Sequence, residues 1–153
     1  MAERFSITMT DDDSEDQFLV RTVLDDLDYK IDFNTLNNGE ELVTHLEHEL
    51  TNGKNFPSLI LLDINMPGKN GKDILRYIKN KDVIRNIPVI MFSTGRDVNQ
   101  IKQCYQLGAN SYISKPSSYS KLVEVMGNIC SFWFNYAKVP GRYIPMSGTY
   151  SGK

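Results

Sequence analysis

Leu59-Ile60-Leu61-Leu62 runs without interruption into Asp63, and Pro67, Gly68 and Gly71 follow closely. A short continuous apolar run bounded by turn residues fits a strand covered on both faces, as in a parallel sheet flanked by helices; a half-exposed strand would alternate. Packing gives no reason for such a strand to end on a carboxylate. In open parallel sheets, ligands gather outside the carboxyl ends of the strands. The run therefore predicts Asp63 at the rim of a sheet, with Pro67, Gly68 and Gly71 breaking the chain before the next helix.

The remaining chain supplies that sheet. Phe5 to Thr10 is apolar and β-branched and stops at Asp11-Asp12-Asp13-Ser14-Glu15-Asp16. From Asp16, the residues Leu19, Val20, Val23, Leu24 and Leu27 recur at helical spacing, and the acids ahead of them suit the positive end of a helix. Ile31 to Leu36 reads as a second strand, Asn37-Asn38-Gly39 as a turn and Glu40 to Leu50 as a second helix. Strand three is Ser58 to Asp63, followed by a helix over Lys72 to Asn80. Strand four is Val89 to Ser93, with a helix from Asp97 to Leu107 that Gly108 caps. Strand five is Ser111 to Ser114, and Tyr119 to Ala137 forms the last helix. Five strands alternating with five helices make a doubly wound five-stranded parallel α/β sheet, because parallel neighbours need helical crossovers. Residues 1–138 are expected to form one domain and 139–153 a flexible C-terminal tail.

A chain of 153 residues that is 41% hydrophobic supports one core and no second full domain. A net charge of −2 gives no footprint for nucleic acid or anionic membranes. No stretch approaches the roughly 18 apolar residues of a membrane span, and the N-terminus lacks a signal-peptide core. A cytoplasmic location is expected. Cys104 and Cys130 lack C-x-x-C spacing and read as reduced thiols. His45 and His48, beside Glu47 and Glu49, read as a solvated helix face.

The predicted strand ends gather chemistry: Asp11 and Asp12 after strand one, Asp63 after strand three, Ser93 after strand four and Lys115 after strand five. Clustered carboxylates repel one another, and a cation among them relieves the repulsion. Oxygen-only ligands favour a hard ion, Mg²⁺, with Mn²⁺ as a substitute.

Together, Asp11-Asp12, the block Leu62-Asp63-Ile64-Asn65-Met66-Pro67 with Gly71, the strand Pro88 to Ser93, and Tyr112-Ile113-Ser114-Lys115-Pro116 resemble a two-component response-regulator receiver domain of the stand-alone type. The resemblance covers roughly residues 5–135 and implies the flavodoxin-like, CheY-like (βα)5 architecture. It implies that Asp63 is the phosphoacceptor for a histidine kinase or phosphotransfer protein. Asp11, Asp12, Asp63 and the Asn65 backbone carbonyl would hold Mg²⁺. Lys115 would pair with Asp63 and then with a phosphoryl oxygen, and Ser93 would bond another. Ser93 and Tyr112 would form the switch, read out on the helix four, strand five and helix five face by a downstream protein. The Lys115–Pro116 peptide would be cis.

Two positions depart from the family pattern. Thr94 stands where a small residue is usual, and Gly95 offers no side chain to orient water, so with Asn65 these residues are expected to modulate the lifetime of the phosphorylated form. The last helix carries an apolar stripe of Leu122, Val125, Met126, Ile129, Phe132, Trp133 and Tyr136, widened by Val123, Cys130 and Phe134. Its surplus over the needs of a core suggests a partner, including a second copy of the chain. Self-phosphorylation and slow self-dephosphorylation are the catalysis expected. A haloacid-dehalogenase-like phosphatase would instead carry D-x-D after strand one, and a flavodoxin its phosphate-cradling loop there.

Overall fold

Each apolar run becomes a strand in the computed structural model, which describes residues 4–53 and 55–140. The strands are β1 Phe5–Thr10, β2 Ile31–Leu36, β3 Leu59–Leu62, β4 Val89–Ser93 and β5 Ser111–Ser114. They form one parallel sheet in the order β2-β1-β3-β4-β5. The helices between them are α1 Ser14–Asp26, α2 Gly39–His48, α3 Gly71–Lys79, α4 Val98–Gln106 and α5 Tyr119–Cys130. This is the expected doubly wound (βα)5 fold, and its strand order reverses between β1 and β3, where such sheets open a binding crevice.

Two cores explain why β3 is continuously apolar. Leu59 and Leu61 join a cluster with Val20, Val23 and Leu24 of α1 and Leu122, Met126 and Ile129 of α5. Ile60 and Leu62 point the other way, into a cluster with residues of α2, α3 and α4, including Leu42, Leu46, Ile74, Ile78 and Cys104. Successive strand residues face opposite sides, and each fully buried Leu or Ile contributes about 1.5–3 kcal/mol. Short polar side chains set the helix starts: Asp13, Asn38, Asn70, Asp97 and Ser118 each accept backbone N–H groups at an N-cap. Asp13 capping moves the start of α1 to Ser14, two residues ahead of the position suggested by periodicity.

The last helix departs from the pattern. It is α-helical only to Cys130 and continues as a π-helical turn over Ser131–Tyr136. The wider turn changes the phase of the stripe, so Phe134 is buried while Phe132 and Tyr136 are 55% and 74% exposed. Phe134 stacks on Phe5 of β1, ring centroids 4.1 Å apart, and meets Tyr29 edge-on. The expected tail begins with a buried Val139, and its residues from 141 onward lie outside the described residues. Cys104 and Cys130 are buried free thiols. Among the described residues, no helix is long and apolar enough to cross a membrane.

Candidate functional site

Strand register brings the chemically distinctive residues to one rim. Thr10 pairs with Leu62, Leu62 with Met91, and Ser93 with Ser114. The next residue of each strand therefore emerges at a similar height: Asp11 after β1, Asp63 after β3 and Lys115 after β5. The Asp63 N–H donates to the Thr10 carbonyl at 3.0 Å and the Lys115 N–H to the Ser93 carbonyl at 2.9 Å, extending the ladder into the site.

Asp63 is buried. Its Oδ1 accepts the Ile64 N–H at 2.8 Å, and its Oδ2 lies 3.7 Å from Lys115 Nζ. The loop beyond it is anchored by buried Ile64 and Met66, with Asn65 exposed between them. Gly71 closes the loop: its N–H donates to the Ile64 carbonyl at 2.8 Å, and a Cβ there would stand 2.1 Å from the Asp63 carbonyl oxygen.

Asp11 is buried and Asp12 exposed. One carboxylate oxygen each from Asp11, Asp12 and Asp63 lie within 4.8 Å of one another, the one such cluster among the described residues. His45 and His48 take no part in it. Oxygens on opposite sides of a Mg²⁺ stand about 4.2 Å apart, so the donor type and spacing fit a divalent cation with slight closure. Burial pushes the Asp11 carboxyl up to about 6, against the opposing pull of Lys115 and the Asp13 N–H. A proton then competes with a cation for Asp11 as pH falls through that value. The affinity for Mg²⁺ is expected to drop about ten-fold between pH 7.5 and 5 from this group alone. Titration calorimetry at the two pH values checks it, and equal dissociation constants would remove Asp11 from the ligand set.

Lys115 makes its shorter ion pairs elsewhere than the resemblance implies. Its Nζ is 2.7 Å from Asp11 Oδ2 and 2.8 Å from Asp16 Oδ2, with Asp63 more distant. Burial acts to lower the lysine's proton affinity, but Asp11 and Asp16 outweigh it and hold the ammonium well above its ordinary value. The following peptide bond is trans, since no cis bond occurs among the described residues. This corrects the cis expectation. Trans is favoured by about 0.5–1 kcal/mol even before proline, and the Lys115 N–H and Nζ contacts are both made with the trans bond.

Ser93 is fully buried, and its Oγ has no hydrogen-bond partner among the described residues. Such a group ordinarily finds one. Thr94 is exposed. Tyr112 is half-buried, and its hydroxyl donates to the Gly95 carbonyl at 2.7 Å. A Cβ at Gly95 would approach that hydroxyl to 3.2 Å and Gln100 Nε2 to 2.8 Å, so the glycine makes room for the tyrosine.

Two contributors escaped the sequence reading. Asp16 pairs with Lys115, and buried Gln17 donates through Nε2 to the Asp11 carbonyl at 2.6 Å and to Asn37 Oδ1 at 3.2 Å. Gln17 ties α1 to the ends of β1 and β2. Its one sequence signal is a polar residue on the apolar stripe, three ahead of Val20.

The family model of the response regulator receiver domain matches residues 7–126. The response regulator Rcp1 of Synechocystis sp. is 29% identical over 136 residues, spanning 88% of this chain and 92% of Rcp1. The solved structure of the phosphorylated cyanobacterial phytochrome response regulator RcpA has a TM-score of 0.83 at 31% identity, covering 90% of this chain and 99% of RcpA. The Mn²⁺-bound form of Rcp1 gives 0.79 at 28% identity, covering 89% and 99%.

Proposed function

This chain belongs to the response regulator receiver domain family, and from that premise we propose that Asp63 accepts a phosphoryl group from the phosphohistidine of a histidine kinase or phosphotransfer protein. The phosphorylated chain is then the signal. One observation carries this reading: Asp11, Asp12, Asp63 and Lys115 converge at the reversal of strand order, on the rim that also holds the hydroxyl of Ser93, unpartnered among the described residues.

The Ile64 N–H holds Oδ1 of Asp63, leaving Oδ2 to attack phosphorus. The nitrogen–phosphorus bond breaks as the oxygen–phosphorus bond forms, and the imidazole nitrogen keeps the electron pair. Mg²⁺, or the Mn²⁺ that Rcp1 binds, would be held by Asp11, Asp12, Asp63 and the Asn65 carbonyl and would neutralise charge on the phosphoryl oxygens. Lys115 pairs with one of those oxygens and Ser93 Oγ donates to another. Phosphorylation adds nearly two negative charges. Ser93 senses them by turning toward the new acceptors, and Tyr112, seated on the Gly95 carbonyl, reports the change along α4, β5 and α5. Exposed Val98, Tyr105, Tyr119 and Val123 on α4 and α5 support a protein target there. Exposed Phe132 and Tyr136 support a second copy docking at the last helix.

The test is incubation with acetyl phosphate and Mg²⁺, followed by intact mass, then borohydride reduction and peptide mapping. We expect one alkali-labile phosphoryl group, on Asp63, and none when EDTA removes the cation. Labelling at another residue, or none, would sink the reading.

A further inference from the structure

The geometry of Lys115 points to a second role for α1. We propose that Asp16 is a resting-state latch that competes with the phosphoryl group for Lys115, holding the ammonium toward α1 until Asp63 is phosphorylated. The inference rests on Asp63 as phosphoacceptor and adds a positioning residue to that reaction.

Lys115 Nζ is 2.8 Å from Asp16 Oδ2, a hydrogen-bonded ion pair, but 3.7 Å from Asp63 Oδ2. Asp16 lies outside the three-carboxylate cluster, so its contact with the site runs through the lysine. The reach is built into the fold. Asp13 caps α1 and accepts the Asp16 N–H, and the next residue, Gln17, fastens the helix to the Asp11 carbonyl. The first turn of α1 therefore holds the Asp16 carboxylate within reach of the Lys115 ammonium. Asp11 is shared by the cation site and the lysine, whereas Asp16 pairs with the lysine and is not one of the clustered carboxylates.

A phosphoryl group on Asp63 brings new anionic oxygens to the side of Lys115 where contact is now longest. The ammonium must shorten that contact and loosen the one to Asp16. Asp16 is 30% exposed and Lys115 10%, so water takes up part of the loss and the latch is weak. A weak latch suits a reversible switch: it biases the resting state without trapping it.

Asp16→Asn is expected to speed phosphorylation by acetyl phosphate in saturating Mg²⁺ by about two- to five-fold, the range of a partly exposed ion pair. Removing a negative charge near an anionic donor would also speed the reaction. Glu15→Gln, which deletes a charge from the same helical turn without a lysine contact, separates the two effects and should leave the rate at the wild-type value. Asp16→Glu, which keeps a carboxylate within reach, should restore the wild-type rate.

A second readout is the ¹³C–¹H resonance of the Lys115 ε-methylene, identified by its loss in Lys115→Arg. It should move in unphosphorylated Asp16→Asn, and in wild type on phosphorylation, in the same direction. Normal wild-type labelling with an unchanged Asp16→Asn rate, or an unmoved resonance, overturns the latch alone. An acceleration matched by Glu15→Gln also overturns it. Absence of Asp63-linked phosphate in wild type overturns the phosphoacceptor reading and the latch with it.

Discussion

Asp63→Asn is expected to take up no phosphoryl group from acetyl phosphate and, in EDTA, to resist urea better than the wild type. Both follow from replacing a carboxylate by an amide of the same shape. The amide oxygen still accepts the Ile64 N–H that now bonds Oδ1, so the loop keeps its conformation, but the amide is no nucleophile at phosphorus. The stability gain comes from charge. Asp63 stands within the three-carboxylate cluster and contributes to the raised Asp11 pKa, while its own tie to Lys115 is 3.7 Å long. Removing it relieves more repulsion than it loses attraction, by about 1 kcal/mol at the effective dielectric of a partly wet site. Saturating Mg²⁺ should reverse the order, because only the wild type retains three carboxylates to bind it and ligand binding stabilises the folded state. Urea midpoints in EDTA and in Mg²⁺ check both halves; a variant less stable than wild type in EDTA would show that Asp63 is held by attraction.

Gly71→Ala should be among the most damaging additions of a single methyl group. The new Cβ would lie 2.1 Å from the Asp63 carbonyl oxygen and 2.8 Å from Ile64 Cα. Both are backbone atoms at the end of β3, so no side chain can turn aside. Either α3 retreats, losing the Gly71 N–H bond to the Ile64 carbonyl, or the Asp63–Ile64 peptide moves and takes the carboxylate with it. The cost is about 3 kcal/mol or more, the upper range of overpacking. Gly127→Ala is the contrast, since its Cβ meets nothing within 4 Å on α5. Exchanging a helical glycine for alanine there should stabilise by about 0.5–1 kcal/mol. Urea denaturation of the pair checks the prediction. Similar midpoints would mean that the β3–α3 junction yields more easily than its contacts imply.

The contrast between these sites and the last helix shows what residue patterns carry. The Leu59–Leu62 run marks its strand because both faces of β3 are buried by different helices. Helix starts follow from capping side chains whose reach is one turn. The metal-fitting carboxylates were legible because Asp11 and Asp63 directly follow strands, Asp12 comes next after Asp11, and strand ends share a rim. The Asp16–Lys115 pair was not, since it joins residues 99 apart in sequence and depends on how α1 seats against the sheet. The acids from Asp11 to Asp16 look alike in sequence; only the helix phase separates a cap, Asp13, from a lysine partner, Asp16. The π-helical turn was hidden for a related reason. Phe132, Trp133, Phe134 and Tyr136 are all apolar enough to face inward, and the choice of Phe134 depends on the aromatic partners Phe5 and Tyr29 waiting on the sheet side.

That stacking of Phe134 on Phe5 has a consequence for biosynthesis. Phe5 opens β1, yet the ring that covers it belongs to a turn made after all five strands of the sheet. The face of the sheet toward α1 and α5 stays incompletely covered until that turn is made, and contacts so far apart in sequence form late. Until the turn after α5 is made, Phe5 has no Phe134 to stack on, and this edge of the nascent sheet is open to other apolar surfaces.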